Sequence, residues 1–460
     1  MRIRKKEIEI VKHAAFVFRV LRQLCGSGAS PDLEPLPRRR VGIFEDLGSC
    51  SSERIQPANA GRFSMASGAL ALQVMLVVCF LLFSNSVMAE PAVEMGSRGV
   101  SNFIATIEKE RKAHVAFLGG SITQNATGHT KMVPDWLTKT YPDVEFTFTN
   151  AGLSSTCSTT GAFRFDRDIL SKGPVDLLIV EFAVNDDQDA MHDRTTAIRG
   201  LEGIVQQYFQ TNPKGDIISV QFVNPGILEK IQKEEKPLSV DAHKTVARHY
   251  DIPIVDVGQA LADEIAAGKM TWAEDYKGTH PNKIGYQFAS DLITSVIAKT
   301  VSGETPQELA IPEPIDPLSY SRPSAIDPQA MSWLGGWKFE TVSKELLPLG
   351  AIRGDFTKYK ALRSDGAGDM LYHTFIGSMY GAFILAGPDA GILEVAIDGG
   401  EWKKVDLFHK HSGGLNYPRS VIFADGLSST YHQAAIRVSA EKNPKSKGNT
   451  ATILFIESNE

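Results

Sequence analysis

The stretch HVAFLGGSIT, residues 114–123, joins an apolar run to a turn made of two glycines and a serine. A short run of β-branched and aromatic residues that ends in glycine is typical of a buried strand. Two glycines permit a tight turn from that strand into a helix, because they tolerate backbone angles that other residues avoid. The stretch therefore predicts a strand and a helix, with the Ser121 hydroxyl at the junction between them.

Four more apolar runs follow, and helical patterns separate them. Residues 196–211 and 238–250 place apolar side chains at the three- and four-residue spacing of a helix. Strands that alternate with helices predict a parallel sheet covered on both faces. We therefore expect an α/β fold for residues 90–301, a flavodoxin-like three-layer α/β/α domain with a five-stranded parallel sheet. The four runs are VEFTFTN (144–150), VDLLIVEFA (175–183), IISVQFV (217–223) and IPIVDV (252–257).

The pattern changes after residue 301. Residues 302–328 hold six prolines, which neither a helix nor a central strand tolerates, so we interpret them as a linker or a wrapping segment. Residues 329–460 show strand patterns alone, with Asp398-Gly399-Gly400 as a hairpin turn, and they predict an all-β sandwich as an accessory domain. Its aromatic residues could stack on sugar rings, but filling the core is the favoured alternative. They are Trp333, Trp337, Tyr380, Trp402 and Tyr417.

The N-terminal region carries an export pattern. The run ALALQVMLVVCFLLF, residues 69–83, is followed by SNSVMAEP, which has the small residues of a signal-peptidase site. An uncharged run of 15 residues is shorter than the ~20 that a spanning helix needs, so a membrane anchor is the weaker alternative. We interpret residues 65–89 as a signal peptide ending at Ala89 and residues 1–64 as an upstream extension, with Met65 as the alternative start of translation. The mature protein is then secreted or periplasmic, with no stable membrane span.

The charge distribution excludes some partners. Residues 1–89 hold 12 basic and 7 acidic residues, so the remainder carries 36 against 47. An acidic chain with no basic stripe argues against nucleic acid and anionic membrane surfaces as partners. Cys157 is the one cysteine beyond the signal peptide, so a mature chain cannot form a disulfide, and we expect this thiol to be buried and inert.

Polar groups follow several of the predicted strands. Ser121 follows the first, the turn NAGLSST (150–156) the second, Asn185 the third and His280 the fifth. Each has an ordinary alternative: Ser121 could cap a helix, and Asn185 could form an Asx turn. The carboxyl ends of parallel strands meet at one edge of the sheet, however, and open α/β sheets bind ligands there. We therefore predict one active site in which main-chain N–H groups and an amide stabilise an oxyanion.

These four blocks resemble the SGNH hydrolases of the GDSL-esterase superfamily, in the family's order and spacing, over roughly residues 113–300. The resemblance implies that Ser121 of GGSIT is the nucleophile, with Gly120 where many members have Asp. It implies that His280 of THPN is the general base and that Asn185 of AVND is an oxyanion donor.

The resemblance also implies main-chain oxyanion donors. These are the N–H of Ser121 and one N–H from NAGLSST, where the place of the family's glycine falls on Ser155 and Gly152 is the alternative. No metal or cofactor is implied. The acidic run NDDQDAMHD, residues 185–193, lacks the spacing of a calcium loop, and we interpret it as solvated and helix-capping.

One position departs from the family pattern. The family has an Asp three residues before the histidine, where it holds the imidazole; this chain has Lys277. We expect a Ser121–His280 dyad in which Asp275, or a main-chain carbonyl of the same loop, holds His280, with Lys277 turned to solvent. Loss of this carboxylate in a serine protease lowers turnover about 10⁴-fold, so a working enzyme needs compensation.

The expected function is that of a secreted serine esterase, a carboxylic ester hydrolase acting through an acyl-enzyme. Export and the β-sandwich favour acetyl removal from a polysaccharide, and the substrate is an acylated small molecule or polysaccharide. Two alternatives stay open: a lipid or thioester esterase, and a glycan-binding protein whose catalytic site has decayed. Lys277 is the best evidence for decay, and intact Ser121, Asn185 and His280 argue against it.

Overall fold

The structure is a computed structural model, and it describes residues 90–302 and 306–460. The expected upstream extension and signal peptide, residues 1–89, lie outside the described residues. Across the described chain, none of the helices has the length and apolar character needed to cross a bilayer.

The first sheet has six strands in the order β1-β6-β5-β4-β2-β3. Five of them are parallel, as predicted, but β1 pairs antiparallel with β6 at the edge. A two-residue strand shows no alternation in sequence, which is why the prediction missed it. The strands are β1 (Val93–Glu94), β2 (Lys112–Gly119), β3 (Glu145–Gly152), β4 (Leu177–Glu181), β5 (Asp216–Gln221) and β6 (Ile254–Asp256).

Helices cover both faces of this sheet. Val115 and Phe117 of β2 join the apolar cluster on one face, while Ala116 and Leu118 join the cluster on the other. The domain is therefore a three-layer α/β structure. Its helices are α1 (Ser101–Glu110), α2 (Ser121–Gln124), α3 (His129–Thr140), α4 (Ser158–Asp168), α5 (Ala183–Gln188), α6 (Arg194–Thr211), α7 (Pro225–Gln232), α8 (Leu238–His249), α9 (Val257–Ala266) and α10 (Lys283–Lys299), with a π-helical turn at Trp272–Tyr276.

The C-terminal region forms two antiparallel sheets, consistent with the predicted β-sandwich. One has the order β15-β12-β17-β10-β9, with β7 also paired to β17, and the other has the order β14-β13-β16-β11-β8. Asp398 and Gly399 have φ of 54° and 72° in the turn between β13 and β14, as a tight hairpin requires. The strands are β7 (Pro323–Ile326), β8 (Ser332–Leu334), β9 (Lys338–Thr341), β10 (Lys360–Ser364), β11 (Met370–Ile376), β12 (Met379–Ala386), β13 (Ile392–Ile397), β14 (Lys403–Asp406), β15 (Tyr417–Ala424), β16 (Tyr431–Val438) and β17 (Ala451–Asn459).

The proline-rich segment is a wrapping segment in its described part, not an open linker. Glu202 of α6 is fully buried and accepts hydrogen bonds from Ile315 N at 2.6 Å, Asp316 N at 3.0 Å and Ser319 Oγ at 2.6 Å. Tyr320 packs in the apolar cluster between the sheet and helices α4 and α6. The segment then enters the sandwich as β7, so the sheet begins before the expected boundary at residue 329.

The aromatic residues of the sandwich mostly fill its core, which was the favoured alternative. Trp337, Tyr380 and Tyr417 are 6%, 0% and 3% exposed. Trp333 is half-buried against the same core. Trp402 is the exception, because it is 38% exposed and the Arg437 guanidinium lies 4.3 Å from its ring centre.

The sandwich packs directly on the α/β domain. Met379 of β12 is fully buried in the α/β domain's apolar cluster. Thr160 Oγ1 lies 2.9 Å from Ser420 Oγ, and Gln124 Nε2 donates to Asp355 Oδ2 at 2.9 Å. Apolar and polar contacts therefore join the two parts.

Candidate active site

Ser121 stands at the end of β2 as the first residue of α2. The buried carboxyl group of Glu181 holds this turn in place. Gly120 N donates to Glu181 Oε1 at 3.2 Å, and Thr123 Oγ1 donates to the same oxygen at 2.7 Å. Burial raises the pKa of Glu181 to about 7. Gly120 is required here, since a Cβ at this position would lie 2.1 Å from Asn185 Oδ1.

The structure brings Ser121 and His280 together. Ser121 Oγ lies 2.7 Å from His280 Nε2, within hydrogen-bonding distance. The loop that carries the histidine is fixed by Asn282, which caps α10 by accepting Gly285 N at 3.0 Å and donates to the Glu274 carbonyl at 2.7 Å. His280 itself is exposed. Within the described residues, no hydrogen bond engages its Nδ1.

Asp275 has a different place from the expected one. Its Oδ2 accepts Thr271 N at 2.7 Å and Thr271 Oγ1 at 3.1 Å, so it caps the π-helical turn. This capping contact turns the carboxylate to Thr271, which corrects the expectation that Asp275 holds His280. Lys277 is exposed, as expected, and ends the turn with φ of 84°.

The two expected main-chain donors in NAGLSST differ in availability. Gly152 N donates to Asn150 Oδ1 at 2.9 Å, so this group is already engaged. Ser155 has φ of 68°, the left-handed conformation that glycine adopts most easily. No hydrogen bond among the described residues engages its N–H. Leu153 N donates to the Gly119 carbonyl at 3.0 Å, which keeps this loop beside the Ser121 turn.

Asn185 lies in the first turn of α5 and is 2% exposed. Its Nδ2 donates to Asp189 Oδ2 at 2.8 Å, while its Oδ1 is buried against Gly120 without a partner. An amide nitrogen carries two hydrogens, so one N–H remains to be donated. Four polar groups therefore meet near the ends of β2, β3 and β4: the Ser121 hydroxyl, the His280 imidazole, the Ser155 N–H and the Asn185 amide.

The acidic run 185–193 is only partly helix-capping. Asp193 caps α6 by accepting Thr196 N at 2.7 Å, as predicted. Asp186, in contrast, is fully buried rather than solvated. It accepts Ser158 N at 2.8 Å, Ser158 Oγ at 2.6 Å and His243 Nε2 at 2.9 Å, because the turn after β4 points it inward.

Three donor atoms near Asp186 are close enough to be considered as metal ligands. One atom each of Cys157, Asp186 and His192 lies within 4.8 Å of the others. Both oxygens of Asp186 already accept hydrogen bonds from Ser158 and His243, however. We interpret this cluster as a buried hydrogen-bond network that holds the loop after Ser155. Cys157 is buried, as expected.

Sequence reasoning missed Glu181 and Asp189, which hold Ser121 and Asn185 in place. Glu181 gave a usable signal, since an acidic residue inside the apolar run VDLLIVEFA must have a buried partner. Asp189 gave none, because Asp186, Asp187 and Asp193 stand in the same short run and nothing in the sequence distinguishes it from them.

Residues 117–288 match the model of the GDSL-like Lipase/Acylhydrolase family. This range contains Ser121, Ser155, Asn185 and His280. The comparison with curated proteins found no match.

Two solved structures share the fold over most of the chain. A two-domain esterase (CEX) active on acetylated mannans, co-crystallised with mannopentaose, is 21% identical, with a TM-score of 0.65 over 80% of this chain and 96% of that one. A second structure of this esterase gives the same identity and TM-score and covers 97% of that chain. Axe2, an acetylxylan esterase from Geobacillus stearothermophilus, is 17% identical, with a TM-score of 0.34 over 40% of this chain and 94% of that one.

Proposed function

Because residues 117–288 form a GDSL-like lipase/acylhydrolase domain, an SGNH-type hydrolase, we propose that the protein is an exported serine esterase that removes short acyl groups, chiefly acetyl, from a polysaccharide. The observation that carries the proposal is the 2.7 Å contact between Ser121 Oγ and His280 Nε2. A serine hydroxyl on an imidazole nitrogen is the arrangement in which the base takes the proton as the nucleophile attacks.

The proposed mechanism has two halves. Ser121 Oγ attacks the ester carbonyl and its proton moves to His280 Nε2, which gives a tetrahedral oxyanion. The oxyanion accepts from the N–H groups of Ser121 and Ser155 and from Asn185 Nδ2, and each such donor lowers the barrier by about 2.7–4 kcal/mol. When the tetrahedral intermediate collapses, the alcohol leaves with the proton from His280. Ser121 then carries the acyl group as an acyl-enzyme. Water then attacks by the same route and frees the acid and Ser121.

His280 works without a protein carboxylate in this proposal. His280 is an exposed residue, so water is the available partner for its Nδ1, and water is a weaker partner for an imidazolium than a carboxylate is. Lys277 is also exposed, which lets its charge be screened by solvent. We therefore propose that the enzyme works with a Ser121–His280 dyad and has a lower kcat than an enzyme with a full triad.

The substrate class rests on two supports. The CEX esterase, which shares the two-domain fold over 96% of its length, is described as active on acetylated mannans. The signal pattern before Ala89 would place the enzyme outside the cytoplasm, where polysaccharides are found.

The test compares wild type, Ser121→Ala and Asn185→Ala on p-nitrophenyl esters of increasing chain length, on acetylated mannan and on acetylated xylan. We expect wild type to prefer acetyl esters, Ser121→Ala to lose turnover, and Asn185→Ala to lose about 10²–10³ in kcat as an oxyanion donor is removed. Ser171→Ala, at an exposed serine of the same domain, is the matched control. Turnover by Ser121→Ala within a few-fold of wild type would reject the nucleophile, and a preference for long acyl chains would favour a lipid esterase.

A burst experiment tests the acyl-enzyme separately. Rapid mixing with p-nitrophenyl acetate should release nitrophenol in an initial phase equal to the enzyme concentration if deacylation is slower than acylation. Denaturation during turnover should then leave an acetyl group on the peptide that contains Ser121. An acetyl group on another residue would overturn the assignment.

A further inference from the structure

A loop of the sandwich lies on the end of α5, the helix that carries Asn185. We name residues 407–417, between β14 and the first residue of β15, the histidine loop. His409 Nε2 donates to the Asp189 carbonyl at 2.9 Å, and Lys410 Nζ donates to the Gln188 carbonyl. The sandwich thus contacts the turn that follows Asn185.

The same loop reaches the Asp189 side chain. His411 Nε2 lies 3.3 Å from Asp189 Oδ1, and the other oxygen, Oδ2, accepts Asn185 Nδ2 at 2.8 Å. Asp189 is 7% exposed, so its carboxylate has little water to turn toward. One carboxylate therefore connects a sandwich histidine to the amide of Asn185. Since the amide is planar, fixing one N–H also fixes the direction of the other.

The histidine loop also contacts Ser155, the residue whose main-chain N–H is the other proposed oxyanion donor. Tyr417 Oη donates to the Ser155 carbonyl at 3.2 Å. The rings of His409 and Tyr417 stack, with centres 4.2 Å apart and planes 14° apart. The left-handed region is unfavourable for an L-residue, so the φ of 68° at Ser155 needs such external contacts.

The loop is anchored in its own domain. Ser412 Oγ accepts His409 N at 2.9 Å and donates to the Ala386 carbonyl at the end of β12 at 2.8 Å. These bonds fix the positions of His409 and His411 relative to the sandwich.

We propose that His411 is a positioning residue for the reaction: through Asp189 it holds the Asn185 amide in the direction that the oxyanion requires, and the sandwich is thereby part of the catalytic apparatus. The proposal rests on the proposed function. Its physical basis is that an oxyanion donor acts only if it is aligned before the reaction. A misplacement of about 1 Å can lower a rate by as much as 10²-fold.

His411 should affect rate more than stability. Its side chain is 47% exposed, so solvent screens its contact with Asp189 and weakens the contribution of the pair to stability. We expect His411→Ala to lower kcat on p-nitrophenyl acetate about 10-fold, with KM changed less than about twofold. His411→Gln, which keeps a side-chain N–H donor, should recover most of the rate.

Two further variants control for packing. The His411 ring centre lies 5.2 Å from that of His409 and 5.4 Å from that of Tyr417. His411→Phe keeps a ring there but has no donor, so it should lose as much kcat as His411→Ala. His432→Ala is the matched control, since His432 Nδ1 contacts Asp398 Oδ2 at 2.7 Å within the sandwich. It should keep the wild-type rate.

The deciding measurement is a double-mutant cycle with Asn185. If His411 acts through Asn185, His411→Ala should change kcat less than about twofold once Asn185 is alanine. Equal losses in both backgrounds, or a wild-type kcat for His411→Ala and His411→Phe, would overturn the proposal. A failure of the proposed function is distinguishable, because Ser121→Ala would then keep turnover whatever His411 does. Melting temperatures identify any variant that loses rate by unfolding.

Discussion

At the scale of single residues, Glu181 places an ionisable group directly under the nucleophile. In the folded protein, burial raises its pKa from the ordinary 4.5 to about 7. Folding therefore binds a proton between about pH 4.5 and 7, and the free energy of unfolding falls as pH rises through this window. The full effect of a raised pKa of this size is about 3 kcal/mol.

We expect Glu181→Gln to remove this pH dependence, because glutamine keeps a carbonyl acceptor for Gly120 and Thr123 and does not titrate. Urea unfolding at pH 5 and pH 8 should show the variant gaining about 3 kcal/mol relative to wild type at the higher pH. Glu145→Gln, whose side chain is 75% exposed in the wild type, is the control and should leave the difference unchanged. A parallel pH dependence for Glu181→Gln and wild type would contradict the raised pKa.

Lys277 gives the second prediction at this scale. Its position, three residues before His280, is where the resemblance places an Asp, and its φ of 84° suits Asp better than Lys. We expect Lys277→Asp to raise kcat about 10-fold or more, since a carboxylate on Nδ1 is worth up to 10⁴ in a serine protease. Lys277→Asn removes the positive charge without supplying the carboxylate. A kcat for Lys277→Asp no higher than that of Lys277→Asn would show that water at Nδ1 suffices.

The sequence predicted the positions of reacting groups better than their partners. Ser121 and Asn185 directly follow strand ends, and strand ends of a parallel sheet meet wherever the loops go. His280 comes 24 residues after β6, beyond α9 and the π-helical turn, and its position was predicted from the resemblance of THPN to a family block. The partner of a carboxylate depends instead on the path of a loop. Asp275 bonds Thr271 within its own turn, whereas Asp189 bonds His411, 222 residues away. Periodicity contains no information about such contacts.

At the scale of elements, the prediction was most accurate where a residue pattern repeats. The five parallel strands and the hairpin at 398–400 have clear alternation or turn chemistry, and the structure has them. The wrapping segment has neither. Its path follows from Glu202, whose buried oxygens take three donors from residues 315–319. A buried acid on α6 with partners more than 100 residues away could be located only in three dimensions.

At the scale of the whole molecule, the accessory domain is continuous with the α/β domain. Tyr320 and Met379 complete an apolar cluster that also contains Phe163 and helix α6 residues. Fully burying one such side chain stabilises a protein by about 1.5–3 kcal/mol. Both residues lie after Ser302, so the α/β domain depends on later sequence for part of its core.

We therefore expect a chain ending at Ser302 to melt about 10 °C or more below the longer protein, or to be insoluble, since 1 kcal/mol corresponds to about 2–4 °C for a domain of this size. The measurement is thermal unfolding followed by p-nitrophenyl acetate assay of the soluble fraction. A chain ending at Ser321 keeps Tyr320 and the contacts of Glu202 but lacks Met379 and the histidine loop, so the difference between the two truncations measures the contribution of the wrapping segment. A Ser302 truncation with full stability and full rate would show that the sandwich is dispensable for the chemistry.

The position of β17 has a consequence for the order of events during biosynthesis. This strand, residues 451–459, lies between β12 and β10 and also pairs with β7, so it is the centre of its sheet. The nucleophile leaves the ribosome about 330 residues earlier than this strand, at a typical rate of roughly 5–20 residues per second. His280 is followed by about 170 residues before this strand, so for roughly 10–30 s the nascent chain holds its serine, its histidine and its amide but lacks the strand that pairs with β12. If the histidine loop positions Asn185 as proposed, the site is complete only after this last strand has been inserted.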